Sequence, residues 1–325
     1  TTYEGIAGKG SAVRAIFEAA HLLGAKACAM VDSDIRSIQP WWVERILGPV
    51  QARKFDYVTP YYVRHKYDGT ITNNIAYPMT RALYGLRVRQ PIGGDFGFSG
   101  ALAEHYLHKP VWESDVARFG IDIWMTTTAI NDGYRVAQAY LGAKIHDAKD
   151  PAASLGPMFR QVVGTLFSLL AVYPAKWRHV KGSQPTPMIG EPVPGEPDPI
   201  PISRDALVER FREGFRKLGP LWQKVVGTDI YAQLAHAAME VGPSIELGED
   251  LWAKMVYDFA VGFHREDLDP DEVVGALVPI YFGRIAAFAA ETDSKTTAQA
   301  EEVIERQARV FEELKPRLIQ AWDRG

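Results

Sequence analysis

The stretch Ala27-Cys28-Ala29-Met30-Val31-Asp32-Ser33-Asp34 sets the reading of this chain. Five small or apolar residues read as a short buried strand, and two carboxylates follow at once. At strand spacing residues i and i+2 share a face, so Asp32 and Asp34 are expected to meet one site at the strand's C-terminal edge. That edge is where open α/β sheets bind ligands. A hard divalent cation is often held there by one or two carboxylates plus substrate phosphates. The tripeptide also suits a solvated turn with a helix cap, where Asp and Ser are common.

Outward from this stretch, helices alternate with short strands. Residues 12–23 carry an apolar stripe (Val13, Ile16, Phe17, Ala20) and stop at Gly24, which predicts a helix. Pro40 opens a second helix. Strands are expected over 55–63 and 135–141, and helices over 73–84 and 118–129. This alternation argues for an α/β layer structure. Beyond about residue 150 the pattern turns helical, with expected helices at 155–173, 204–217, 221–240, 249–263, 270–290 and 296–316. Between them, residues 181–201 hold seven prolines, so no regular helix can cross them. We therefore expect an α/β part over 1–150, a mostly helical part over 151–325, and an extended strap or linker at 181–201.

The 325 residues are 47% hydrophobic and 23% charged, an ordinary globular composition. A net charge of -4 gives no support to nucleic-acid binding. The single cysteine, Cys28, excludes an intrachain disulfide and any multi-thiolate metal site, and it suits a reducing, cytoplasmic setting. Two apolar runs, 155–173 and 273–290, are interrupted by Arg160, Gln161, Pro279 and Arg284. Neither reaches about 20 clean apolar residues, so no transmembrane segment is expected. The aromatic-rich helical half is expected to serve architecture and a homodimer contact.

Several short motifs carry possible chemistry. Gly8-Lys9-Gly10 precedes a helix, where flanking glycines allow close approach and a lysine can meet phosphate. It is not a P-loop, since no GxxxxGK[ST] pattern is present. In Gln90-Pro91-Ile92-Gly93-Gly94-Asp95, paired glycines beside an acid suit a loop pressed on a ligand, or a tight turn with a local cap. Asp122 stands among apolar residues in Phe119-Gly120-Ile121-Asp122-Ile123, as a functional buried carboxylate or as a first-turn acid. His146 follows a strand, where a neutral imidazole can join two carboxylates on a metal. Arg64, Asp68 and Thr72 surround a glycine-containing loop; Arg can grip a carboxylate bidentately.

In this order the motifs resemble those of retaining GT-A fold glycosyltransferases, of the mannosylglycerate synthase and glucosyl- or mannosyl-3-phosphoglycerate synthase type. The resemblance covers roughly residues 5–172. It implies a GT-A nucleotide-diphospho-sugar transferase sheet whose first βαβ unit, which holds the base, is absent from the printed chain. It implies a metal, Mg2+ or Mn2+, on Asp34 and His146. Lys9, Asp32, Ile92, Gly93, Gly94 and Asp95 would bind the nucleoside diphosphate sugar, although the family has Glu where this chain has Asp95. Asp122 and Asp32 would be catalytic, and Arg64, Thr72 and Asp122 would bind the acceptor. The implied activity is hexose transfer to D-glycerate or a similar small hydroxy acid. Phosphoglycerate enzymes carry a basic residue near Thr72 where this chain has Asp68-Gly69-Thr70. That favours glycerate, with 3-phosphoglycerate as the alternative. Nucleotidyl transfer, nucleotide-sugar hydrolysis and a non-catalytic assembly role are the other readings.

Overall fold

The computed structural model describes residues 5–146, 151–242 and 245–324. The chain is mixed α/β and mostly helical. It forms two compact units, one of residues 1–65, 83–148 and 161–199, the other of 66–82, 149–160 and 200–325. The units are thus interleaved along the chain. The single boundary expected near Asp150 falls outside the described residues.

The elements run in chain order as α1 (Lys9–Leu22), β1 (Ala27–Met30), α2 (Pro40–Gln51), β2 (Tyr57–Val63), α3 (Tyr77–Tyr84), β3 (Leu86–Arg87) and β4 (Phe96–Ser99). Then come α4 (Gly100–Leu107), α5 (Ile121–Asn131), β5 (Val136–Ala143), α6 (Pro151–Val172), α7 (Pro174–Trp177), β6 (Gln184–Pro185) and β7 (Met188–Ile189). The chain ends with α8 (Arg204–Val225), α9 (Thr228–Met239), α10 (Glu249–Gly262), α11 (Pro270–Thr292) and α12 (Thr297–Trp322).

The first unit is built on a five-stranded sheet of order β1-β4-β2-β5-β7. Strand β4 runs antiparallel to β1 and β2, while β2, β5 and β7 are parallel. Successive strand residues serve opposite faces, as the two-residue period requires. Tyr57 joins a cluster with Phe17, Phe96, Phe98 and Trp124, and its neighbour Val58 joins the other with Trp42, Ile46 and Leu141. The proline-rich segment is part of this unit as far as Pro199. It contributes β6, which pairs with β3, and β7, which adds to the sheet beside β5. The Gln138 amide donates to the Pro187 carbonyl at 2.8 Å.

In the second unit a buried π-helical turn, Thr72–Ala76, leads into α3. The Trp252 indole donates to the Asn74 carbonyl at 2.6 Å, and the Gln307 amide donates to the Asn73 carbonyl at 2.9 Å. Helix α8 runs through Pro220, against the break expected after residue 217. A single proline removes one intrahelical hydrogen bond; α8 accepts that loss and ends at Val225, with Val226 as its C-cap before Gly227. Helices α11 and α12 likewise contain Pro279 and Pro316. Two helical stretches, 155–172 and α11, are long and apolar enough to cross a membrane by length and composition. The second is 83% buried within the protein, as a core helix would be.

Arg81 clamps α12. Its side chain is 3% exposed and reaches Glu305 at 2.6 Å and Glu312 at 3.0 Å. Arg81→Ala removes the cation beside the part-buried Glu312 and leaves Glu305 to the Tyr77 hydroxyl. It is expected to cost about 3 kcal/mol of stability, read as a shift of the denaturant midpoint.

Candidate functional site

The site grows from the first turn of α1. A Cβ on Gly10 would lie 1.8 Å from the Val116 carbonyl oxygen, and one on Gly8 2.5 Å from that of Ala117. Only glycines let α1 press so closely on the segment entering α5. The Gly10 amide donates to the Arg118 carbonyl at 3.1 Å. That contact carries Lys9, the first residue of α1, to Asp122, the second residue of α5.

Lys9 Nζ stands 2.9 Å from Asp122 Oδ2 and 2.9 Å from Asp32 Oδ1. A second lysine, Lys144, lies on the far side of Asp32, with Nζ 3.8 Å from Asp32 Oδ2 and 3.4 Å from Asp95 Oδ2. It also donates to the Gly93 carbonyl at 2.8 Å. Asp95 is fully buried. It accepts from the Asp32 amide at 2.8 Å and from the Tyr62 hydroxyl at 2.5 Å. Its oxygens therefore hold Asp32 in place. Gly94 has φ +89°, and a Cβ there would lie 1.9 Å from Asp32 Oδ2, so only glycine fits beneath that carboxylate.

The acidic tripeptide leaves the sheet sooner than its spacing suggested. Strand β1 ends at Met30, and Ser33 and Asp34 form a turn, so strand alternation does not reach the acids. An isolated antiparallel bridge then joins Ile35 to His146. The Arg36 amide donates to the Ile145 carbonyl at 2.8 Å, and the Ile145 amide to Ser37 Oγ at 3.0 Å. Asp34 is thus one residue from the strand pairing that contains His146. It is half-buried and has no hydrogen-bond or ion-pair partner among the described residues. No group of three or more His, Cys, Asp or Glu able to hold a metal occurs among the described residues.

Burial pushes the Asp122 carboxyl above its ordinary value; Lys9 opposes this, and the nearby Asp32 charge adds to it. Burial likewise raises Asp95, against the pull of Lys144 and Tyr62. Burial lowers Lys144, with Asp95 opposing and the Arg64 charge reinforcing the shift. Burial would also lower Lys9, but Asp122 and Asp32 outweigh it and hold its ammonium charged. Two lysines face three carboxylates, and Asp122 Oδ1 is buried with no hydrogen-bond partner. A buried carboxylate oxygen without a donor is costly unless a ligand supplies one.

The structure therefore brings Lys9, Asp32, Gly93, Gly94, Asp95 and Asp122 together, with Ile92 half-buried in the same loop. It joins the Asp34 turn to His146. Arg64 belongs to the first unit and acts electrostatically on Tyr62 and Lys144. Thr72 belongs to the second unit and is buried in its π-helical turn. Sequence reasoning missed Lys144 and Tyr62. The only signal was a lysine closing the apolar run of β5, two residues before His146.

No protein-family model and no curated protein matches the chain. Among solved structures, three of glucosyl-3-phosphoglycerate synthase from Mycobacterium tuberculosis are similar to part of it. One, in complex with Mg2+ and uridine diphosphate, has a TM-score of 0.42 at 25% identity. Another, in complex with phosphoglyceric acid, has a TM-score of 0.36 at 23% identity. A third, in complex with Mn2+, uridine-diphosphate-glucose and phosphoglyceric acid, has 0.35 at 22%. Each match covers 51% of this chain and 56% of the other, so the chain spans little more than half the length of these structures.

Proposed function

We propose that the chain carries the catalytic site of a glycosyltransferase that moves a hexose from a nucleoside diphosphate sugar to the hydroxyl of a small hydroxy acid such as D-glycerate. The observation that carries this reading is the Lys9 bridge between Asp32 and Asp122, at a buried carboxylate with one oxygen free. The motif order supports the same class of reaction.

A divalent cation on Asp34 and His146 would supply charge compensation for the departing diphosphate. The chain's own residues do the rest. Lys9, held cationic by its two partners, gives a positive charge beside the diphosphate. Asp95 and Lys144 fix the position of Asp32 from beneath. The Asp122 carboxylate takes up the acceptor hydroxyl's proton as the new glycosidic bond forms and the sugar–diphosphate bond breaks. A donor-by-acceptor screen of the full protein with Mg2+ or Mn2+ tests the reading. Pyrophosphate release would instead mean nucleotidyl transfer, and free hexose without acceptor would mean hydrolysis.

Because the Asp122 pKa is raised, the carboxylate is protonated in acid and ionised only above that raised value. Turnover that needs the ionised form is expected to rise with pH through it, on a limb lying above the ordinary 3.8. In a kcat/KM profile, Asp122→Asn should remove that limb along with most of the activity.

The acceptor reading favours an unphosphorylated acid. Lys66, the basic residue nearest to Asp68-Gly69-Thr70 in the second unit, is already committed. Its ammonium donates to the carbonyls of Thr292 at 2.7 Å, Asp293 at 3.0 Å and Lys295 at 2.8 Å. The Thr70 hydroxyl is paired with the Tyr281 hydroxyl at 2.6 Å. We assign the acceptor's carboxylate to Arg64. Arg64→Ala should lower kcat/KM for the acceptor by roughly 30- to 150-fold, about 2–3 kcal/mol, with little change for the donor. Lysine should restore only part, because it lacks the planar fork.

A further inference from the structure

Far along the chain from these motifs, the second unit contains a cavity of about 300 Å3 between α8 and α11, with Arg160 of α6 at its edge. Two glycines make it. Gly214 lets α8 meet α11 so closely that a Cβ would lie 2.1 Å from Pro279 Cβ. Gly275 leaves a trough over which the Arg160 guanidinium lies, 2.9 Å from where a Cβ would stand. The floor is apolar: Val278, Pro279 and Phe282.

The rim is cationic. Arg160, Arg210 and Lys217 line the cavity against a single carboxylate, Glu213. Glu213 is already taken by Lys217 at 2.6 Å. Neither arginine has a hydrogen bond or ion pair among the described residues. Two guanidinium groups without a hydrogen bond therefore line a cavity with an apolar floor, Arg210 acting on Glu213 only through its charge. Arginine forks match the oxygens of phosphate and carboxylate. The volume is at the lower end of the range of about 300–1,000 Å3 seen for small-molecule pockets.

We propose that this cavity binds a small amphipathic anion, with a phosphate or carboxylate head on Arg160 and Arg210 and a short apolar body over Val278, Pro279 and Phe282. It lies wholly within the second unit and does not depend on the transferase reading.

Calorimetric titration of the full chain with hexyl phosphate, hexanoate and inorganic phosphate tests this. The expected result is saturable one-to-one binding of the two amphipathic anions, with inorganic phosphate weaker. Arg160→Gln and Arg210→Gln should each weaken binding about tenfold or more, with thermal unfolding unchanged because both side chains are exposed. Gly275→Val, which fills the trough, should abolish binding. The proposal is overturned if no saturable heat appears, or if both glutamine variants bind as the parent does. It is also overturned if inorganic phosphate binds as tightly as hexyl phosphate. Binding lost in Lys9→Gln but kept in Arg160→Gln would place the anion elsewhere and overturn it as well.

Discussion

Asp34→Ala is expected to lower metal-dependent turnover by about 100-fold or more while leaving thermal unfolding of the metal-free protein unchanged. The two halves of this result have one origin. Asp34 makes no hydrogen bond or ion pair among the described residues, so its removal breaks no internal contact. Its only use in the proposed reaction is to hold a cation with His146, and loss of such electrostatic stabilisation of a leaving group costs about 10²–10³ in rate. Initial rates against Mn2+ concentration measure the first half, and calorimetric melting in chelator measures the second. Wild-type turnover in Asp34→Ala would remove Asp34 from the metal site. An unchanged rate ceiling reached at higher Mn2+ would mean that Asp34 sets cation affinity alone.

Lys144→Met should do the opposite, harming the fold first. The methionine fills similar space but leaves Asp95 fully buried with no ammonium beside it. Breaking a buried ion pair from one side costs about 3–5 kcal/mol. That is a large share of the roughly 5–15 kcal/mol that holds a typical domain folded. The double change Lys144→Met with Asp95→Asn removes the uncompensated charge and should recover much of the loss, since Asn can still accept from the Asp32 amide. Urea midpoints for the two variants decide the matter. If the single and double variants unfold alike, Asp95 is not charged in the folded protein and Lys144 is not its partner.

These two residues also mark where the sequence stopped being informative. Gly8-Lys9-Gly10, the acids at 32 and 34, and Asp122 stood out because a charge beside glycines or inside an apolar run is locally conspicuous. Their positions at a helix start and just past a strand end were readable; their meeting was not, since Lys9 and Asp122 are 113 residues apart. Lys144 is conspicuous in no local way. Its partner Asp95 is 49 residues away, just before β4, and only the sheet order β4-β2-β5 brings the two together. Asp95 was legible as a ligand-facing acid; its complete burial under Tyr62 and Lys144 depends on the same pairing. Helix α8 shows a different limit. Pro220 is a strong local stop signal, yet α8 continues to Val225, with Trp222 buried and its indole donating to the Ala276 carbonyl at 2.9 Å. Tertiary packing outweighs one lost backbone bond.

The strap beside β5 has a consequence for behaviour at high concentration. Strand β7 is the last of the sheet on its side, and such a margin normally displays amide donors and carbonyls to which another chain can add. Here the residue before Met188 is Pro187, and prolines recur at 192, 194, 197, 199 and 201 just beyond Ile189. Proline offers no amide hydrogen, so any strand adding beside the two-residue β7 could not extend its pairing regularly through residues 192–201. Growth of the sheet from this side, whether into fibrils or into exchanged dimers, is kept short by the same residues that made the segment unreadable as a helix.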